Sequence, residues 1–484
     1  MNQGDHQLAT ILDYFEQINA IPRCSKDEAR LGQWLHDWAA ERQLERRRDA
    51  AGNLVVKVPA SPGMADRPTV IIQGHMDMVC EKTPDSMHDF SRDPIRSKRD
   101  GDWLMADRTT LGADNGIALA YALALAEDPT IQRPPLELLF TVDEETGLNG
   151  VKEMPADLIS GKMLINLDSE DEGVFTIGCA GGMETLCSMP LNKEPFPAGW
   201  ELHQVLVGGL RGGHSGIDID KQRGNANKIL ARTLMHLHRE MKLKIVTMAG
   251  GTRHNAIARD AMTVVACPPG EGIRVRERVA RLEAILKGEY AGLDDGLCIK
   301  ATTSDLDTEV VWSEETSLRV LNLLLALPHG VAGMSKTIEG LVESSSNLAT
   351  MAVEQEVLRI LMSQRSASSA KLVALSETVH AIAGLANCQF VDENKYPPWQ
   401  PDMNAPLLQT AQAVYAGLFG KEPVLEVIHA GLECAIIGER CPGMQMISFG
   451  PDIENPHSPT ERMRISSVGK VWCFLVALLE AIGR

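Results

Sequence analysis

Short apolar runs bounded by Gly, Pro and Asn alternate with helical patterns along the opening part of the chain. Residues 53–58 and 69–73 are rich in β-branched side chains and predict strands. Residues 115–127 (NGIALAYALALAE) combine strong helix formers with an Asp–Asn start and predict a buried helix. Residues 136–142 and 163–167 are continuous apolar runs of the kind found in central strands. Residues 1–22 predict an amphipathic helix and lack the basic-then-apolar order of a signal peptide. This alternation implies an α/β fold, with a mostly parallel sheet flanked by helices.

The pattern changes from about residue 183 to 394. Strands are predicted at 201–207, 261–267, 297–303, 340–349 and 353–363, and helices at 226–243, 273–288, 317–326 and 368–385. The alternation suggests an inserted α+β domain built of two βαβ-like halves. Residues 396–401 (YPPWQP) form a stiff connector. The α/β pattern then resumes with a helix at 406–418, strands at 424–429 and 445–449, and a terminal helix. The expected domains are therefore 1–183 and 396–484 as one catalytic domain, with 184–395 as an inserted lid or dimerisation domain.

Composition narrows the function. The 484 residues are 44% hydrophobic and 23% charged, which describes a folded chain too long for one core. The formal charge of -18 repels phosphate backbones, so nucleic acid is not an expected partner. The apolar run at 471–482 is interrupted by Glu480 and too short to span a bilayer, so no membrane role is expected. The ten cysteines show no C-x-x-C pair and read as isolated thiols of a reducing, cytoplasmic compartment.

Five polar clusters carry the candidate chemistry. Gly74-His75-Met76-Asp77 ends one predicted strand, Asp143-Glu144-Glu145 a second and Asn166-Leu167-Asp168 a third. Gly112-Ala113-Asp114-Asn115-Gly116 enters a helix, and Asn455-Pro456-His457-Ser458 lies in a polar loop. Each alone is ordinary; an Asp before a helix is usually an N-cap. Together they are not, because ligands of open α/β sheets bind beyond the carboxyl ends of strands. Two His and several carboxylates form the mixed N/O donor set that suits zinc, with cobalt or manganese as substitutes. Adjacent Glu144 and Glu145 can divide the work of base and ligand.

The series GHMDMV, LGADNGIALA, DEETG, NLDSED and NPHSPTER resembles the M20 family of co-catalytic zinc peptidases. Within it, the resemblance is strongest to the branch of bacterial aminoacyl-histidine dipeptidases, and it runs nearly end to end. It implies two zinc ions per chain: His75 and Asp168 on one, Glu145 and His457 on the other, Asp114 on both. It implies Glu144 as general base and Asp77 as the partner that orients His75. In the insert, GGHSG places His214 where the family uses a His from the partner subunit of a homodimer to steady the oxyanion. Asn255 and Arg365 match positions that hold a substrate carboxylate, a task suited to the planar fork of Arg. Glu433, in HAGLEC, is a candidate for the substrate's free amine. The implied activity is hydrolysis of unblocked dipeptides, including Xaa-His and β-alanyl-histidine. The alternatives are an N-acyl amino acid deacylase of the same chemistry and a catalytically silent binding relative.

Overall fold

The structure is a computed structural model that describes residues 3–336, 338 and 340–483. The first two positions of the expected N-terminal helix lie outside the described residues; the rest of it is the helix Gln3–Asn19. The chain divides into two compact units. One comprises Met1–Cys179, Trp399–Val427 and Leu432–Arg484, and the other Ala180–Pro398 and Ile428–Gly431.

The first unit is built on an eight-stranded sheet. Its order is Glu45–Arg48, Leu54–Val58, Leu136–Thr141, Val70–His75, Met163–Asn166, Gln445–Ser448, Val174–Cys179, Val424–Ile428. Val70–His75 runs parallel to both Leu136–Thr141 and Met163–Asn166, and Gln445–Ser448 runs parallel to Met163–Asn166. Toward the edges, Leu54–Val58 pairs antiparallel with Leu136–Thr141, and Val174–Cys179 pairs antiparallel with Gln445–Ser448. The sheet is thus mixed rather than mostly parallel, because apolar runs reveal which strands are central but not their direction. Its centre is parallel, however, so three strands end side by side, and those ends carry His75, Glu144 and Asp168.

Helices cover this sheet. Ala113–Glu127 is apolar around its whole circumference and buried along most of its length, packed against Val70–His75 and the helix Gln3–Asn19. The terminal helix Ile465–Ile482 is longer than the apolar run suggested, and it has the length and composition of a membrane span. Its apolar face is nevertheless spent on the core: Trp472 stacks on Tyr121, Phe474 stacks on Phe175, and the Tyr121 hydroxyl donates to the Val468 carbonyl at 3.0 Å.

The second unit differs from two βαβ-like halves. Among the described residues, nine of its strands form one sheet in which every pairing is antiparallel, and Lys193–Pro195 pairs with Val310–Trp312 in a separate two-stranded ribbon. The strands Glu201–Gly208, Lys244–Gly250, Ala261–Cys267 and Cys298–Thr303, with the helices Ala226–Glu240 and Gly272–Glu289, follow a β-α-β-β-α-β sequence. The strand Lys244–Gly250, absent from the sequence reading, lies between the first helix and the next strand and lets the chain double back. The expected strands at 340–349 and 353–363 form one hairpin, Val342–Glu354 with Val357–Ser366.

The expectation for the cysteines also changes. Cys24 and Cys80 are not isolated thiols but a disulfide. A parallel bridge between Cys24 and Met78 draws the two segments together, leaving the Cα atoms 5.7 Å apart. The other eight cysteines are not disulfide-bonded.

Candidate metal centre

Local sequence explains how each donor reaches the centre. Gly74 precedes His75 because a Cβ there would meet Asn115 Oδ1 at 2.4 Å and Ala118 Cβ at 2.5 Å. Without it, the start of the helix Ala113–Glu127 closes onto the strand end. Asn115 then accepts from the His75 amide at 3.1 Å and donates to the Leu167 carbonyl at 2.9 Å, tying three segments together. Gly112 has φ of 70°, a left-handed conformation that turns the chain into the helix that carries Asp114. Asp143 also has positive φ, 51°, which an Asp tolerates when its side chain bonds locally. Its carboxylate accepts from Thr146 Oγ1 at 2.5 Å and Asn149 Nδ2 at 2.8 Å. This turn carries Glu144 and Glu145. His457 arrives on the loop between the short strands Ile453–Glu454 and Arg462–Arg464, which the guanidinium groups of Arg462 and Arg464 anchor over the Trp103 ring at 4.3 and 4.7 Å.

The five donors converge on two groups that share one residue. His75 Nε2 lies 3.1 Å from Asp114 Oδ1 and 3.4 Å from Asp168 Oδ1. His457 Nε2 lies 3.0 Å from Asp114 Oδ2 and 3.0 Å from Glu145 Oε1. Within each group, His75–Asp114–Asp168 and Asp114–Glu145–His457, one ligand atom per residue lies within 4.8 Å of the others. Glu144 and Glu145 also group with His75. Two buried acceptors, Glu145 Oε1 and Asp168 Oδ1, make no hydrogen bond of proper geometry. Such atoms are costly to bury unless a cation completes them.

Asp77, fully buried, accepts from the amides of Glu144 at 3.0 Å and Glu145 at 3.2 Å, and from Ser25 Oγ at 2.8 Å. Its Oδ1 lies 3.3 Å from His75 Nδ1. It therefore links the His75 ring to the Glu144–Glu145 turn, and the ring's orientation follows from this contact.

The imidazoles and carboxylates of the site shift one another's proton affinities. Burial alone would lower His75 and His457, yet the Asp168 charge beside His75, and hydrogen bonds from His457 to Asp114 and Glu145, outweigh it; His75 is held well above its usual range and His457 is pushed up to about 11. Burial opposes ionisation of Asp114, but the two imidazoles hold its carboxyl well below the usual range. Burial, with Glu145 and Asp168 nearby, pushes Glu144 well above an ordinary carboxyl despite the opposing charge of His75.

Three functional supports escaped the sequence reading. Glu461 accepts from the backbone amides of Leu111, Gly112, Ala113 and Asp114 at 2.7, 3.0, 2.8 and 3.3 Å, fixing the turn that presents Asp114. Arg23 is buried and donates to the carbonyls of Met76 and Asp77, each at 3.0 Å, and of Gly112 at 2.5 Å. Glu170 is pushed up to about 9 by burial and then by Asp114 and Asp168. Glu461 and Glu170 lie inside the NPHSPTER and NLDSED motifs, and the extra carboxylates there were the available signal. Glu433 is fully buried; its Oε2 accepts from Gln73 Nε2 at 2.6 Å and Thr141 Oγ1 at 2.7 Å, while Oε1 has no hydrogen bond.

In the second unit, His214 and Asn255 lie on adjoining segments, joined by the Ser215 amide donating to the Asn255 carbonyl at 2.8 Å. His214 Nδ1 accepts from the amides of Gly216 and Ile217 at 3.2 and 3.1 Å, which puts the ring proton on Nε2. Arg365 is 7% exposed and donates to the Tyr396 hydroxyl at 2.8 Å. Burial, with Arg365 and His214 nearby, pushes His429 down to about 3, and its Nε2 lies 2.7 Å from Ser345 Oγ.

Residues 71–481 match the family model described as peptidase family M20/M25/M40. The chain is 37% identical over 472 residues to the cytosol non-specific dipeptidase of Escherichia coli K12, a match covering 97% of each. Among solved structures, it resembles the aminoacylhistidine dipeptidase of Vibrio alginolyticus with a TM-score of 0.86 and 38% identity, covering 98% of this chain and 96% of that one. A Staphylococcus aureus tripeptidase, 16% identical with a TM-score of 0.57 and 99% of each chain covered, shares the fold.

Proposed function

The chain belongs to peptidase family M20/M25/M40 and is a metallopeptidase, and on that premise we propose that it hydrolyses unblocked dipeptides with two zinc ions per chain. The observation that carries this reading is the position of Asp114, whose two oxygens face separate His–carboxylate groups. His75 and Asp168 would hold one ion, Glu145 and His457 the other, and Asp114 would contribute to both. The donor set is nitrogen and oxygen only, and the two incomplete buried acceptors fit bound cations. When bound, the ions polarise the scissile carbonyl and make water a nucleophile near neutral pH.

The chain's own residues do the rest. Glu144 accepts the proton of the attacking water and delivers it to the leaving amine. Asp77 holds the His75 ring and the Glu144 turn in register. His214, with its proton on Nε2, is the donor to the oxyanion in a neighbouring subunit of a homodimer. Arg365, steadied by Tyr396, and Asn255 take the substrate carboxylate. A free amine would meet Glu433 at Oε1, since Oε2 is already engaged. Xaa-His dipeptides and β-alanyl-histidine fall within the proposed range, in a cytosolic setting like that named for the Escherichia coli relative.

A panel of dipeptides, tripeptides and N-acetyl amino acids tests the reading. Turnover of free dipeptides above the other two classes is expected. Turnover of N-acetyl amino acids alone would replace the proposal with a deacylase.

A further inference from the structure

The face of the second unit's sheet holds an unusual polar group at one end. Glu201–Gly208 pairs antiparallel with Ala261–Cys267, and the register sets Glu201 directly opposite Cys267. His203, two residues on, points to the same face as Glu201. One ligand atom from each of Glu201, His203 and Cys267 lies within 4.8 Å of the other two. His203 Nε2 is 3.7 Å from Glu201 Oε2.

His203 is 1% exposed, and neither ring nitrogen has a hydrogen-bond partner. A neutral imidazole brings one donor and one acceptor, and an apolar interior rejects both when unpaired. The same strand positions elsewhere on this face, Val205 and Val207, are apolar and fill the core. A histidine that only packed would be a poor third member of that row. Its neighbours are arranged around it: the Gly270 amide donates to Glu201 Oε1 at 3.0 Å, which fixes that carboxylate and leaves Oε2 on the ring's side. A Cβ at residue 272 would meet His203 Nε2 at 2.3 Å and Glu201 Oε2 at 3.1 Å, so glycine at the start of the helix Gly272–Glu289 keeps this space clear. The Glu201 side chain is 47% exposed and supplies a route from solvent.

We propose that the second unit carries a metal site of its own, in which His203, Cys267 and Glu201 hold one zinc-class divalent ion with water as the fourth ligand. A nitrogen, a thiolate and a carboxylate together favour zinc or cobalt over magnesium or calcium. The ion completes the stranded His203 ring and ties the two strand ends to the helix start. Its role is structural and it stands apart from the proposed catalytic centre, which contains no cysteine.

That difference in donors gives the test. The full-length enzyme is stripped with chelator, titrated with Co2+ and read by near-ultraviolet absorption and by metal content after desalting. A thiolate-to-cobalt charge-transfer band that saturates by three equivalents per chain, with the intensity of one thiolate ligand, is expected. In Cys267→Ser the band should vanish and retained metal should fall by one ion per chain, with dipeptide turnover unchanged; His203→Ala should also lose one ion. Absence of the band in the wild-type enzyme, or a band and metal count unchanged in Cys267→Ser, would overturn the proposal. The band reads only sulfur ligation, so the result stands whatever the catalytic centre is found to hold.

Discussion

His457 Nε2 lies 3.0 Å from Asp114 Oδ2 although 343 residues separate them, and the other oxygen of that carboxylate lies 3.1 Å from His75 Nε2. A residue shared in this way should fail differently from one that is not. Asp114→Ala is expected to lose both ions together, whereas His457→Ala should retain the ion held by His75 and Asp168. Metal content after dialysis separates the cases; loss of a single ion from Asp114→Ala would mean that the two groups do not share it.

Asp77 touches no substrate in this account, and its effect should run through His75 and the Glu144–Glu145 turn. Asp77→Asn cannot accept from both amides and Ser25 while also serving His75. Metal affinity should fall by about 10–100-fold, the usual cost of removing such a support. Competition with a chelator measures it, and Ser25→Ala should show a smaller loss.

Glu461 compensates four backbone amides and the buried charge of Arg23. Its removal leaves those donors unpaired and the cation less balanced. Glu461→Ala should cost about 3 kcal/mol or more of stability, read by denaturant unfolding, and should weaken metal binding through Asp114.

The metal-free protein should lose stability as pH rises from about 6.5 to 8. Burial pushes Glu461 up to about 7, Glu433 to about 8 and Glu170 to about 9, and the carboxylates push His457 up to about 11 against the effect of burial. Each holds a proton in the folded state that the unfolded chain has released, so its contribution is full below the unfolded value and fades as pH climbs through the folded one. Ions replace several of those protons, so the loaded enzyme should show a shallower slope. Thermal unfolding of both forms across this window checks the sign; rising stability of the metal-free form would contradict it.

What could be read in the sequence depended on locality. His75, Glu144 and Asp168 follow apolar runs directly, so strand-end placement was visible from the pattern alone. Helix positions in the second unit were also close to those observed, because their apolar periodicity is local. Strand direction was not, since an apolar run looks the same parallel or antiparallel; the mixed central sheet and the antiparallel second sheet follow from that. Arg23 and Glu461 were missed for a related reason. Their partners are backbone groups up to 350 residues away, and backbone carries no sequence signal. The Cys24–Cys80 pairing likewise depends on a bridge between distant segments rather than on spacing.

The most direct test of the central claim compares the wild-type enzyme with Glu144→Ala, measuring metal content and dipeptide turnover on the same preparations. The account predicts the same metal content in both, with the two ions of the catalytic centre retained, and a fall in turnover of about 10²–10⁴-fold in the variant, the range for losing a general base. Turnover near the wild-type rate, or loss of an ion along with activity, would contradict the assignment of Glu144 as the base beside an intact metal centre.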